Sequence, residues 1–190
     1  MANSLLARHA ESLEVFGARV HAVRDDQWDA PTPCTEWTVR DLVNHLTGEQ
    51  LWVVPLVRDG LTMEDVGDRF DGDVLGDDPV GVWDRAAAEA VEAFREEGAL
   101  GRTVHLSYGE TPAEDYCRQM VDDAVIHAWD LSRAIGADEQ LPKALVDFAT
   151  RDIAPQAAGL SKSGLFAPPV KTPPGADPQT KLLAMVGRKA

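Results

Sequence analysis

The sequence predicts an all-α domain from three observations. Apolar residues recur at helical spacing in four long segments, the one alternating stretch is too short to build a sheet, and turn formers gather between the segments. The chain has 190 residues, 44% of them hydrophobic, so one core can form without disulfide or oligomer staples. A single domain over residues 1–190 is the expectation.

The first helix is read over residues 5–23, where Leu5, Leu6, Leu13, Phe16, Val20 and Val23 fall on one face. Pro31, Thr32, Pro33 and Thr35 then mark an ordered connection. Thr38, with Asp41 three residues on, forms a capping box ahead of Val39, Leu42, Val43, Leu46, Val53 and Val54, which predicts a second helix from Thr38 to Asp59. Gly and Asp dominate residues 60–79 (GDRFDGDVLGDD), a predicted loop whose acidic pieces lack the ligand frame and terminal Glu of an EF-hand. A third helix follows over Val80–Glu97 and stops at Gly98. RTVHLSY (Arg102–Tyr108) reads as a short extended segment, and the longest helix runs from Pro112 to Gly136 with Tyr116, Cys117, Met120, Ala124, Leu131 and Ile135 inward. A shorter helix over Pro142–Ala154 precedes a proline-rich tail, expected to wrap the helices and to end in a helix over Lys181–Val186.

Acidic residues outnumber basic ones, 32 to 18, for a formal net charge of −14. With no Lys/Arg cluster, a nucleic-acid partner is excluded. No apolar run approaches the roughly 18 residues of a membrane span, and MANSLLARHAESLEVF has no secretory pattern. A cytoplasmic protein is expected, with Cys34 and Cys117 as reduced thiols outside any paired motif.

Polar residues interrupt the core stripes at two places. On a helical wheel His45 lies about 60° and Glu49 about 20° from Leu42. In the longest helix Asp123 and His127, four residues apart, flank Met120, Ala124 and Leu131. An unpartnered inward carboxylate is costly. Two imidazoles and one carboxylate, His45, His127 and Asp123, suit Zn²⁺ or a similar borderline ion, Ni²⁺ among them, and leave a coordination position for water or substrate. The competing reading pairs Asp123 with Arg118 or Arg133 and leaves His45 as an ordinary histidine. His9 and His21 read as solvated or capping residues. The alternation around His105 permits either a pocket-facing or a solvent-facing ring. Trp52, one turn beyond Glu49, is a candidate pocket wall, while Cys117 reads as a buried apolar thiol.

The strings WDAPTPCTEWTVRDLVNHLTGEQLW (Trp28–Trp52), DDAVIHAWDLSRAIG (Asp122–Gly136), TVHLSYGETP and GLFAPPVKTPP resemble the actinobacterial branch of the DinB/YfiT-like superfamily. More narrowly, they resemble the metal-binding N-terminal domain of mycothiol-dependent maleylpyruvate isomerases and their short single-domain relatives. The resemblance implies an up-down-down-up four-helix bundle with a divalent metal at one end, held by one ligand from the second helix and an acid-x-x-x-His pair from the longest. Those positions fall on His45, Asp123 and His127. The isomerases carry a further C-terminal domain and a Glu at the acid position, so the expectation is the wider class of thiol-dependent transferases and isomerases. There the metal binds the thiol of a sugar-linked cofactor such as mycothiol and presents it to an electrophilic small molecule. Glu49 and His105 are the candidate proton-transfer groups and Trp52 the candidate cofactor contact. The rival expectation is a non-catalytic, metal-stabilised bundle that binds a ligand or protein partner, and a homodimer is compatible with either.

Overall fold

In the computed structural model the described residues are mostly helical, with one two-stranded sheet among them. The structure describes residues 2–157, 159 and 166–190. Helix α1 spans Ala2–Val20 and gives way to a turn at His21 and Ala22, three residues before the predicted end. Helix α2 spans Val39–Val53, and its N-terminus carries the predicted capping box. The Thr38 hydroxyl accepts from the Asp41 N–H at 3.2 Å, and the Asp41 carboxylate accepts from the Thr38 N–H at 2.9 Å. Beyond Val53 the helix widens into a π-turn over Val54–Arg58, closed by the Asp59 N–H donating to the Val54 carbonyl at 3.2 Å. Pro55 has no N–H to donate and crowds the preceding turn, the physical cause of such a widening.

The segment read as a loop over residues 60–79 contains a short helix, α3 (Met63–Val66). Thr62 and Asp65 form a second capping box, and Val66 buries its side chain, so local capping and one core contact suffice to fold a turn amid glycines and aspartates. The rest of the segment is pinned to α2. Asn44 donates to the Gly72 carbonyl at 2.9 Å and accepts from the Val74 N–H at 2.8 Å, Arg40 pairs with Asp73 at 2.6 Å, and Leu75 is buried.

Helix α4 runs over Pro79–Arg95, and Gly98, at φ +75°, starts a 3₁₀ turn over Ala99–Gly101. The extended segment does form a sheet, contrary to expectation. Strand β1 (Thr103–Leu106) pairs antiparallel with β2 (Gly109–Pro112), His105 opposite Glu110 and Leu106 opposite Gly109. Gly109 adopts φ +127°, a conformation open to glycine, and so lets the chain reverse within two residues. Helix α5 (Ala113–Ile135) follows directly, with Pro112 just outside its first turn and Gly136 closing it at φ +69°.

Helix α6 covers Lys143–Ile153, as predicted to within a residue. Part of the proline-rich tail, residues 158 and 160–165, lies outside the described residues. The last helix, α7 (Pro178–Met185), starts three residues earlier than predicted because the Asp177 side chain caps it, accepting from the Thr180 N–H at 3.1 Å, and Pro178 suits the first turn.

Helices α1 and α2 each pack against both α4 and α5, while α6 lies on α5 and α7 on α6. Phe16, Leu42, Leu46, Trp83, Phe94, Ile126 and Leu131 are among the side chains that fill the shared core. The tail is tied back onto the helices. Gln179 donates to the Glu139 carbonyl and accepts from the Leu141 N–H, both at 2.9 Å, and Arg133 donates to the Lys189 carbonyl at 2.6 Å. Among the described residues no helix is long and apolar enough to cross a membrane.

Candidate functional site

His45 on α2 and Asp123 and His127 on α5 meet where the two helices pack. One ligand atom from each lies within 4.8 Å of the others. Asp123 sits between the imidazoles, its Oδ2 at 3.3 Å from His45 Nε2 and its Oδ1 at 3.3 Å from His127 Nε2. These separations exceed those of charge-assisted hydrogen bonds, so the three side chains converge on a common point more than they close on one another. Asp123 does not pair with either arginine: Arg118 takes Glu114 at 2.7 Å and Arg133 takes Glu139 at 2.7 Å.

Burial alone would raise the Asp123 carboxyl, but His127 and His45 beside it hold it well below the usual carboxylate range. Burial would conversely lower His127, yet Asp123 first, then Asp130 and Cys34, keep its imidazolium well above the ordinary histidine range. Glu49, one turn beyond His45, behaves in the opposite way. Burial and then the Asp123 charge push its carboxyl up, and the two histidines only partly oppose them.

Four residues that sequence reasoning did not single out complete the surroundings of His127. The chain between α1 and α2 folds back on itself, with the Thr32 N–H donating to the Trp37 carbonyl and the Trp37 N–H to the Cys34 carbonyl, both at 3.0 Å. Glu36 takes a left-handed conformation, φ +71°, to make that reversal. The reversal brings Trp37 over the site, its ring centroid 4.9 Å from His45 and 6.0 Å from His127. It also brings Cys34 Sγ to 3.6 Å from His127 Nδ1. Asp130, fully buried, accepts from His127 Nδ1 at 2.9 Å and from the Cys34 thiol at 3.2 Å. Arg188, beyond α7, donates to both oxygens of Asp130, at 2.8 and 3.2 Å. Asp130 follows His127 by three residues, a spacing that could have flagged it. The contacts of Cys34 and Arg188 span 96 and 58 residues of sequence and leave no local signal.

The remaining expectations resolve individually. His105 lies half-exposed on β1 facing Glu110, Nδ1 to Oε1 at 3.9 Å, and is not among the side chains gathered at His127. Trp52 packs edge-on against Phe70, centroids 5.4 Å apart. His21 is exposed and pairs with Asp84 at 2.9 Å. His9, expected to be solvated, is instead buried with its ring edge-on to Phe94, because α1 turns it toward α4. Cys34 and Cys117 are both free, and burial pushes the Cys117 thiol up to about 12.

Residues 9–132 match the mycothiol maleylpyruvate isomerase N-terminal domain family. The chain belongs to that family. The match takes in His45, Asp123, His127 and Asp130 and leaves α6, α7 and Arg188 beyond it. Two Mycobacterium tuberculosis relatives, the uncharacterised proteins MT0763 of strain CDC 1551 / Oshkosh and Rv0738 of strain H37Rv, are each 32% identical over 196 residues, covering 96% of this chain and 97% of theirs. Relatives of this length therefore carry the α6 and tail region as well. Among solved structures, the crystal structure of a histidine-to-alanine mutant of the mycothiol-dependent maleylpyruvate isomerase superposes with a TM-score of 0.68, covering 86% of this chain and 72% of its own, at 16% identity. At that identity the likeness speaks for the fold.

Proposed function

We propose that the protein holds one divalent metal through His45, Asp123 and His127 and acts as a thiol-dependent, mycothiol-type transferase or isomerase on a small electrophile. The observation that carries this reading is a carboxylate set between two imidazoles from two helices, with the far nitrogen of His127 already engaged by Asp130. A donor set of two His and one Asp suits Zn²⁺ or Ni²⁺ and leaves room in the coordination sphere. The packing of α1, α2, α4 and α5 on one another supports the up-down-down-up bundle that such a site requires.

A divalent ion bound there would hold a coordinated thiol as its thiolate at neutral pH. Around it the chain's own groups have distinct tasks. Glu49, whose carboxyl is pushed up by burial and by the Asp123 charge, is the candidate proton-transfer group beside the ligands. Trp37 shields the imidazoles from water on one side, and Trp52 with Phe70 offers an apolar wall two turns along α2 from His45. The family description names mycothiol, which supports a sugar-linked thiol as the cofactor. Free thiols at Cys34 and Cys117 fit a reducing, cytoplasmic setting.

The test is metal analysis of the purified protein and of His127→Ala, followed by calorimetric titration with mycothiol and with glutathione. About one equivalent of metal in the parent, its loss in the variant, and tighter binding of mycothiol are expected. Full metal stoichiometry in His127→Ala overturns the site. A metal-loaded parent that binds no thiol at millimolar concentration favours a non-catalytic, metal-stabilised bundle.

A further inference from the structure

His127 belongs to two groups of potential ligands. One is His45, Asp123 and His127; the other is Cys34, His127 and Asp130, equally close-set and more deeply buried. What separates them is a cation supplied by the chain. Arg188 Nη2 lies 2.8 Å from Asp130 Oδ2 and 3.4 Å from Cys34 Sγ, and its Nε lies 3.2 Å from Asp130 Oδ1. A guanidinium in this position balances the buried carboxylate and takes the role a metal ion would have in the second group. Several contacts hold it there. Nη1 donates to the Val186 carbonyl at 2.8 Å, the Arg188 N–H donates to the Leu183 carbonyl at 2.9 Å, and the Phe166 ring lies 5.4 Å from Cζ. Gly187, at φ +82°, makes the turn, and any Cβ there would meet Ala167 at 2.5 Å.

We infer that Asp130 and Arg188 are positioning residues of the centre, an inference that rests on the metal reading above. Asp130 engages His127 Nδ1, which fixes the ring and turns Nε2 toward Asp123 and His45, where it could meet an ion. Arg188 holds that carboxylate in place through both its oxygens, so a residue from the tail sets the orientation of a ligand on α5. Asp130 is fully buried and Arg188 largely so, and neither needs to touch substrate.

The experiment measures Zn²⁺ affinity by chelator competition, and the visible spectrum of the Co²⁺-substituted protein, in the parent, R188M, R188K, D130N and His127→Ala. R188M and D130N should each weaken metal binding by about tenfold or more and shift the Co²⁺ bands, as loss of a ligand's supporting partner does. R188K, which restores the charge, should recover part of both. R188M and D130N that fold, as judged by circular dichroism, and keep the parent's affinity and spectrum overturn the inference. If R188M is insoluble, D130N, which keeps the shape of the side chain, decides alone. Metal lost in His127→Ala but unchanged in those two variants defeats this inference while leaving the metal site standing, whereas metal retained in His127→Ala defeats the site itself.

Discussion

At the scale of single residues, the decisive contrast is between two histidines that periodicity places equally well inside helices. His127 is held by two carboxylates, Asp123 and Asp130, while buried His9 has no hydrogen-bond partner for Nε2 among the described residues. Burial, with Arg95 adding to it, lowers His9 from 6.5 to about 4. A histidine lowered in the folded state contributes stability that is intact above its unfolded value and lost as pH falls through the folded one. Between pH 6.5 and 4 the native state resists a proton that the unfolded chain accepts, so about 3 kcal/mol of stability is lost on acidification. His9→Leu should lack this component, and urea melts of parent and variant at pH 7 and pH 4 would show it; equal acid losses in the two proteins would contradict the burial argument. His45, Asp123 and His127 were legible in the sequence because polar residues on an apolar stripe stand out. Cys34, Trp37 and Arg188 were not, because their approach to His127 depends on a loop reversal and on tail packing that local patterns do not encode.

Among the elements, α2 shows how a short local signal places a candidate ligand. The Thr38–Asp41 box fixes where the helix starts, and so which residues face α5, His45 among them. Thr38→Ala removes the hydroxyl that accepts the Asp41 N–H and should cost about 1 kcal/mol of global stability, read as a lower denaturation midpoint with unchanged slope. No shift in the midpoint would show that the box is redundant with the packing of Val39, Leu42 and Val43. Helix starts and stops marked by Thr, Pro and Gly were readable to within a few residues throughout. The π-turn at Pro55, the short helix α3 and the β1–β2 pairing were not. Each depends on a competition between local propensity and a tertiary contact, and in the hairpin the partner strand lay in residues that read equally well as a helix approach.

For the whole molecule, an ion held as proposed would link binding to folding. An ion that binds the native state alone stabilises it by about 2.7 kcal/mol at a hundredfold excess over Kd, so Zn²⁺ should raise the melting temperature and a chelator should lower it. A melt that does not move, in protein shown by analysis to have lost its ion, would mean that the site contributes nothing to the fold. The tie between Arg188 and Asp130 also bears on how the molecule is made. A ribosome delivers α2 and α5 well before it delivers residue 188, so for that interval the Asp130 carboxylate, central to the nascent helices, has no guanidinium opposite it. Until then the carboxylate is met only by His127 and the Cys34 thiol. On the positioning role inferred above, a chain interrupted before Arg188 would keep every candidate ligand and lose the group that steadies His127 through Asp130.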